Sequence, residues 1–318
     1  MTAKPLNNKK LNIFSLSALG ALALTLILRT AALLLEFDTV EGYFSHGAVL
    51  PMVFNIICVA AVILFGAFAL FGFKKGELTL PKAEKPLTLA AFVPAIASAI
   101  LTWSVWSEFL EIAPYLAGKD LIFAFPRPIL SLVTVIFFFC FAMGLRKDPL
   151  SATAGILSLF AFALELTNIY NDLYVSMISP NKLLIQISCI AAMLYILCEL
   201  RVTFTMAQPR FFLFSLATAT LICGASSLPS LAATVVGAYE NPYILQDLMS
   251  ASVFLLCLCR FIGIMRTPIF SESFEDADDG YVLPDELEET ETHEELEETE
   301  TTEEPQETTE ESQEADPQ

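Results

Sequence analysis

The sequence has few histidines and far fewer basic than acidic residues. Its 318 residues include two histidines, and 17 Lys and Arg stand against 36 Asp and Glu. A nucleic-acid-binding surface needs clustered basic charge, so we expect no nucleic acid partner. His46 is the only histidine before residue 269, and no activated-nucleophile pattern accompanies it. The sequence therefore favours a protein that is not an enzyme, and it leaves acid–base chemistry by paired carboxylates as the alternative.

Cysteine spacing gives no disulfide framework and no metal site. All seven cysteines lie within apolar stretches, where a thiol packs as a small core residue. Cys257 and Cys259 form the only closely spaced pair, and no histidine or second pair lies near them. We therefore predict no bound metal and no cofactor. The chain also lacks a nucleotide-binding motif, so any transport would be coupled to an ion or to a separate ATPase subunit.

Long apolar stretches dominate the chain up to residue 264. Eight of them lie at 11–35, 47–72, 87–106, 127–145, 149–168, 183–200, 211–232 and 243–264. A hydrocarbon core of about 30 Å needs roughly 20 helical residues, and only closed backbone hydrogen bonding is stable there. The sequence predicts an all-α, polytopic integral membrane protein. Residues 1–268 are expected to form a bundle of about eight transmembrane helices in contact with the lipid bilayer.

Basic and aromatic residues predict the orientation of this bundle. Of the 17 basic residues, 13 fall in the gaps on one side, 3 fall on the other, and Arg29 lies within the first stretch. By the positive-inside rule both termini are cytoplasmic. Both tryptophans and six tyrosines lie at the opposite, outer ends: Trp103, Trp106, Tyr43, Tyr115, Tyr170, Tyr174, Tyr239 and Tyr243. They fit either an aromatic belt at the headgroups or a stacking surface for an extracytoplasmic ligand.

Residues 269–318 have a different composition from the apolar region. From Ser271 to Gln318 there are 22 Asp and Glu and no Lys or Arg, and the sequence LEETET begins at Leu287 and again at Leu296. Dense like charge with few apolar residues cannot offset the entropy lost on ordering. We predict a disordered acidic cytoplasmic tail. The tail is either a solvating segment with no partner or a segment that recruits a basic cytoplasmic protein.

Two charged residues fall deep within predicted helices. Arg29 lies about 27 Å along the first helix and Glu165 about 22 Å along the fifth, at ~1.5 Å per residue. Both are in the outer half of the bundle at similar heights. Charge at membrane depth is costly, so such residues are functional candidates. The sequence predicts an intramembrane Arg29–Glu165 ion pair, with snorkelling of each side chain to the headgroups as the alternative.

Further polar residues gather in the same outer half. Glu165, Asn168 and Asp172 follow at i, i+3 and i+7, which places them on one helix face. Gln246 and Asp247 open the last helix from the same side, and Asn55 lies about 12 Å below the outer end of the second helix. Prolines at outer helix ends, Pro51, Pro126, Pro128 and Pro229, favour a wet cavity there.

Two functions are consistent with these patterns. In the first, the protein binds or transports a small polar or cationic solute through an outward-facing vestibule. Its predicted ligand-binding residues are Glu165, Asn168, Asp172, Gln246, Asp247 and Asn55. In the second, the polar groups only join the helices, and the protein is a membrane scaffold whose acidic tail recruits partners.

One segment also resembles a known group of proteins. Residues 27–55, ILRTAALLLEFDTVEGYFSHGAVLPMVFN, contain an Arg-Thr pair followed by an outer loop. The first 55 residues or so resemble the opening of a set of uncharacterised multi-pass membrane proteins from Gram-positive anaerobic bacteria. The resemblance implies a bacterial cell membrane location and carries no activity.

Overall fold

The computed structural model describes residues 8–38, 43–73, 85–116, 118, 124–145, 148–175, 179–204 and 208–266. Within them the helices are α1 (Asn8–Leu35), α2 (Leu50–Phe71), α3 (Lys85–Ala90), α4 (Phe92–Ile112), α5 (Pro126–Ala142), α6 (Pro149–Asn171), α7 (Pro180–Thr203), α8 (Pro209–Val235) and α9 (Ile244–Arg266). Strands β1 (Phe37–Asp38) and β2 (Tyr43–Phe44) form an antiparallel pair, and a short 3-10 helix (Ala113–Tyr115) follows α4. The predicted tail, 269–318, lies outside the described residues.

Within the described residues, seven helical segments are long and apolar enough to cross a membrane, as judged by length and composition. They are Lys10–Leu35, Leu50–Phe71, Leu87–Tyr115, Pro149–Asn171, Asn181–Thr203, Pro209–Val235 and Ile244–Met265. This fits the predicted multi-pass helical bundle. The fourth predicted stretch corresponds to α5, which has 17 residues and rises about 25 Å. Because α5 is shorter than the other seven, the count of eight crossings stays a prediction.

Proline and glycine set several helix ends. Helices α2, α5, α6, α7 and α8 each have a proline in the first turn, where the missing N–H is not needed. Gly144 and Gly237 follow α5 and α8 with φ of 79° and 74°. In each case the glycine N–H and the next N–H bond back to carbonyls of the last turn. This is the Schellman arrangement, and its positive φ favours glycine.

Helix α8 lies at the centre of the bundle. It is buried along most of its length and packs against α1, α2, α7 and α9. Gly224 permits this packing, because a Cβ there would lie 2.8 Å from the Phe254 ring of α9 and 3.0 Å from Leu22 of α1. Helices α4, α5 and α6 pack together in a second group, which meets the first through α4–α9 and α6–α7 contacts. The candidate site lies where these two groups meet.

Helix α4 is longer than the sequence suggests. The predicted third stretch ends at residue 106. In the structure α4 instead continues to Ile112, and a 3-10 turn extends it to Tyr115. Glu108 therefore belongs to the last turns of α4 and lies beside the first turn of α5. Residues 117 and 119–123 of this loop lie outside the described part of the chain.

Candidate functional site

The bundle has two ends that carry buried charge. We call one the Arg29 end, where α1, α4, α6 and α8 end and α2, α5, α7 and α9 begin. We call the other the Arg260 end. The sequence predicts that the Arg29 end is the outer one. Most of the predicted site residues lie at this end, so we describe it first.

Glu165 of α6 is the centre of a charged network at the Arg29 end. Its side chain is only 10% exposed. Arg127, in the first turn of α5, approaches it side-on, with Nε donating to Oε2 at 3.1 Å and Nη2 to Oε1 at 3.5 Å. Gln246 of α9 donates its amide Nε2–H to the same Oε1 at 2.9 Å. Side chains of α5 and α9 therefore hold the Glu165 carboxylate of α6.

Arg127 links Glu165 to a second carboxylate. Its Nη1 donates to Glu108 Oε2 of α4 at 2.8 Å. The Arg127 side chain is 22% exposed and that of Glu108 is 51% exposed, against 10% for Glu165. Burial thus increases from Glu108 through Arg127 to Glu165. The guanidinium lies between an exposed carboxylate and a buried one.

A small pocket lies on the buried side of Arg127. It has a volume of about 40 Å³, and its polar lining comes from α4, α5, α6, α7 and α9: Ser98, Thr102, Arg127, Ser131, Thr134, Glu165, Cys189, Gln246 and Ser250. The Thr102 hydroxyl is buried there and has no hydrogen-bond partner among the described residues. A polar pocket of this size has room for water molecules or a small cation, since one water needs only about 10–15 Å³ measured in this way.

A larger pocket lies on the exposed side of Arg127. Its volume is about 290 Å³, and it is lined by residues of α4, α5 and α6 together with Leu116 and Ala124. Its polar lining consists of Glu108, Arg127, Thr167, Asn168 and Asn171. Arg127 and Val105 line both pockets. The predicted residues therefore divide, with Glu165 and Gln246 lining the small pocket and Asn168 the large one.

The predicted Arg29–Glu165 pair does not form. Arg29 is buried and its Nη2 donates to Asn181 Oδ1 of α7. The rings of Phe44 in β2 and Phe54 in α2 lie 5.2 and 5.5 Å from the guanidinium carbon. Similar height along two helices does not make them neighbours: α1 packs against α2 and α8, whereas α6 packs against α5 and α7.

Asp247 belongs to the Arg29 cluster and not to the predicted vestibule. It is fully buried, and its Oδ2 accepts a hydrogen bond from Asn241 Nδ2 at 2.7 Å. Arg29 and Tyr239 are both within electrostatic reach of Asp247. Burial raises the pKa of Tyr239, which lies in the α8–α9 loop, to about 12. Tyr239 therefore stays a neutral hydroxyl at physiological pH.

Asp172 also has a local role that the sequence does not reveal. It ends α6, and the Tyr243 hydroxyl donates to its Oδ2 at 2.7 Å. The Lys182 ammonium group donates hydrogen bonds to the backbone oxygens of Asp172 and Val175, at 2.5 and 3.0 Å. Burial, followed by the bond to Asp172, raises the pKa of Tyr243 above its ordinary value. These contacts join the end of α6 to the starts of α7 and α9, and Asp172 lines neither pocket.

Asn55 is the sixth predicted ligand-binding residue, and it points away from the bundle. Its side chain is exposed on α2, whose buried face carries Phe54 and Cys58 instead. Asn55 lines neither pocket. Among the predicted outer aromatic residues, Trp103, Tyr115 and Tyr174 are exposed, as a belt requires, whereas Tyr239 and Tyr243 are buried.

The Arg260 end holds a buried ion pair. Arg260 Nε of α9 lies 3.2 Å from Glu199 Oε1 of α7, and each side chain is 4% exposed. The Arg260 guanidinium carbon also lies 5.3 Å from the Phe212 ring centroid. Buried pairs of this kind join helices only when both members are present.

None of the protein-family models, curated proteins or solved structures that were compared with the chain matches it. The resemblance of the first 55 residues to membrane proteins of Gram-positive anaerobes therefore stays a prediction. Among the described residues, no group of three or more His, Cys, Asp or Glu side chains is placed to hold a metal ion.

Arg127 and Glu108 are the site residues that sequence reasoning missed. Glu108 lies in the gap between the third and fourth predicted stretches, and Arg127 is the first residue of the fourth, where a charged residue is normally solvated. The prolines on either side of Arg127 are the available signal, because proline favours the first turn of a helix. Helix α5 starts at Pro126, which places Arg127 in its first turn. Nothing in the sequence pairs it with Glu108 or Glu165.

Proposed function

We propose that this protein binds, and transports across a bacterial cell membrane, a small polar or cationic solute at the two pockets beside Arg127. The single observation that supports this most is the Glu165–Arg127–Glu108 network, whose central arginine lines two pockets. An ion pair that only joined helices would need no pocket beside it. Hydroxyl and amide groups of α4, α5 and α9 line the small pocket, together with apolar side chains.

The charge of the lining favours a cation over an anion. Glu165 and Glu108 contribute two negative charges and Arg127 one positive charge, which leaves a net charge of −1 across the two pockets. A neutral polar solute would use the hydroxyl and amide groups. An anion would face one guanidinium that already binds two carboxylates. We therefore place cationic and neutral polar solutes ahead of anions.

The pocket volumes favour a small solute. The larger pocket, about 290 Å³, lies at the lower limit of the ~300–1,000 Å³ typical of small-molecule sites. The smaller, about 40 Å³, admits only water or a small cationic group. The solute would enter the large pocket and present its charged group toward Glu165.

We further propose that the bundle crosses the membrane eight times with both termini in the cytoplasm. The 13 to 3 division of basic residues between the two sides supports this orientation. The Arg29 end, with both pockets, would then face outward. Apolar side chains exposed on α1, α2 and α4, including Leu16, Ile63 and Ile96, fit contact with lipid.

A solute screen on the purified protein tests the binding proposal. We expect one or more small cations, such as ammonium, choline or tetramethylammonium, or neutral polyols, to raise the melting temperature in detergent. A solute at about 100 times its Kd should stabilise the folded state by roughly 2.7 kcal/mol. Glu165→Gln and Glu108→Gln should reduce the solute-dependent part of that rise.

Glu111→Gln supplies the matched control. Glu111 is an exposed carboxylate on the same turns of α4 as Glu108, and it lines neither pocket. Glu111→Gln should leave the solute-dependent rise in melting temperature unchanged. If no solute stabilises the wild-type protein, the binding proposal fails, and the scaffold function, with a tail that recruits partners, becomes the better hypothesis.

A further inference from the structure

Arg127 already occupies the position that a cationic ligand would take. Its guanidinium makes three hydrogen bonds to two carboxylates, at 3.1 and 3.5 Å to Glu165 and at 2.8 Å to Glu108. It also forms part of the wall of both pockets. A solute in the large pocket can therefore reach Glu165 only if this side chain moves aside.

The geometry around Glu165 is suited to planar N–H donors. The side-on approach of Nε and Nη2 uses both carboxylate oxygens, which is the pairing that a guanidinium makes and an ammonium cannot. The Gln246 amide adds a third N–H to the same group. Arg127 is more exposed than Glu165 and lies in the first turn of α5, so rotation of its side chain toward the large pocket needs no change in the buried part of the helix.

We propose that Arg127 is a tethered substitute for the ligand, and that the ligand is a small organic cation with planar N–H donors, of the guanidinium or amidinium class. The ligand displaces Arg127 from Glu165 and pairs with the two carboxylates in its place. This inference rests on the proposed solute-binding function and names the solute class for the same site. In the absence of ligand, Arg127 closes the small pocket.

Replacement of Arg127 gives a direct test with guanidinium chloride as the probe. In Arg127→Gln, Glu165 and Glu108 lose their cation, so low-millimolar guanidinium should bind at least about tenfold more tightly than in the wild type. Binding is measured by calorimetry at constant ionic strength, with potassium and tetramethylammonium as comparison cations. The gain should be specific to guanidinium and should disappear in Arg127→Gln/Glu165→Gln.

Cys189 provides an independent measure of access. It lines the small pocket behind Arg127, whereas Cys223 is buried outside both pockets. A small cationic thiol reagent, 2-aminoethyl methanethiosulfonate, should modify Cys189 at least about tenfold faster in Arg127→Gln than in the wild type, as measured by peptide mass spectrometry. Cys223 should remain protected in both proteins. Guanidinium should slow the modification of Cys189 in the variant.

Arg210→Gln is the control for loss of a guanidinium elsewhere. Arg210 belongs to the first turn of α8, at the Arg260 end, and its Nη1 donates to the Leu70 carbonyl at 3.4 Å. It should change neither guanidinium binding nor the modification of Cys189. If Arg127→Gln does not fold, Arg127→Lys keeps the charge but loses the side-on pairing, and it should show a smaller increase in Cys189 modification.

The outcomes separate this inference from the proposed function. Equal guanidinium affinity in wild type and Arg127→Gln, or an unchanged rate at Cys189, would overturn the role of Arg127 even if the wild type binds another solute. An equal gain in affinity for guanidinium, potassium and tetramethylammonium would overturn the inferred preference for planar N–H donors. A wild type that binds no solute in the screen overturns the function itself.

Discussion

Glu165 and Asp247 are both buried carboxylates, and consecutive residues of α9 connect them to different networks. Gln246 donates to Glu165, whereas Asp247 lies in the Arg29 cluster and accepts from Asn241. Neighbouring helix positions point about 100° apart, so one turn of α9 serves two sites. Glu165 lines a pocket, and Asp247 lines neither of the two pockets described here. Of these two carboxylates, only Glu165 therefore remains a candidate for direct contact with a solute.

The partner of Glu165 can be tested by a double-mutant cycle. Arg127→Gln leaves the buried Glu165 carboxylate without its cation, and Glu165→Gln leaves Arg127 with the exposed Glu108 as its remaining carboxylate partner. Each change alone should lower the free energy of unfolding by about 1–3 kcal/mol. The double variant should recover a large part of that loss. Chemical denaturation in detergent measures all four proteins.

The corresponding cycle with Arg29 is the control. Arg29→Gln should itself be destabilising, because Arg29 is buried and donates to Asn181. Combined with Glu165→Gln, its effect should be additive, since the two side chains share no partner. Strong coupling between Arg29 and Glu165 would contradict the assignment and restore the pair that the sequence suggests.

At the level of elements, α8 is the most buried of the candidate membrane-spanning helices that the structure describes, and α9 packs closely against it. Their close packing depends on Gly224, opposite Phe254. At one end of α9, Tyr243 ties the helix start to the end of α6, and at the other end Arg260 pairs with Glu199 of α7. Helix α9 therefore has polar contacts at both ends, to α6 at one end and to α7 at the other. Its centre is joined by packing and by the Ser188–Ser250 hydroxyl contact at 3.0 Å.

Gly224→Ala tests the α8–α9 contact. The new methyl group would overlap the Phe254 ring, so we expect a loss of about 1–3 kcal/mol in the free energy of unfolding. Thermal unfolding in detergent measures the change. Gly20→Ala is the matched control, because Gly20 lies within α1 with no atom within 4 Å of the added Cβ. It should be neutral or slightly stabilising, since alanine is the better helix former. Equal effects of the two changes would mean that helix propensity and not packing dominates at Gly224.

At the scale of the whole molecule, the short helix α5 determines the topology. It spans 17 residues, about 25 Å, between loops that the sequence assigns to opposite sides of the membrane. Its antiparallel packing with α4 and α6 is what brings Arg127 beside both Glu108 and Glu165. If α5 crosses the membrane, the bundle has an even number of crossings and its termini share one side.

Reporter fusions on either side of α5 test this crossing. A fusion after Gly118, an exposed residue before α5, should report an extracytoplasmic location. A fusion after Asp148, an exposed residue after α5, should report a cytoplasmic one. Alkaline phosphatase activity and green fluorescence distinguish the two sides. The same location at both positions would show that α5 does not cross, and a reversed result would overturn the orientation.

The sequence alone determines the helical class of this protein and the depth of its polar residues. Hydropathy predicts where long helices form, because the length and apolar character of a segment are local properties. Helical spacing also places Glu165 and Gln246 in the outer half of the bundle, and the structure brings these two together. The acidic tail is a compositional prediction that concerns residues outside the described part.

Only the tertiary structure decides which helices are neighbours. Arg29 and Glu165 have similar heights, but α6 does not pack beside α1, so the expected pair does not form. Asn55 lies on the exposed face of α2, and Asp172 accepts a hydrogen bond from Tyr243 at the end of α6, so neither residue belongs to the site. Arg127 belongs to the site because α5 packs against both α4 and α6. Lateral packing depends on how side chains of distant segments fit together, and hydropathy along one chain does not contain that information.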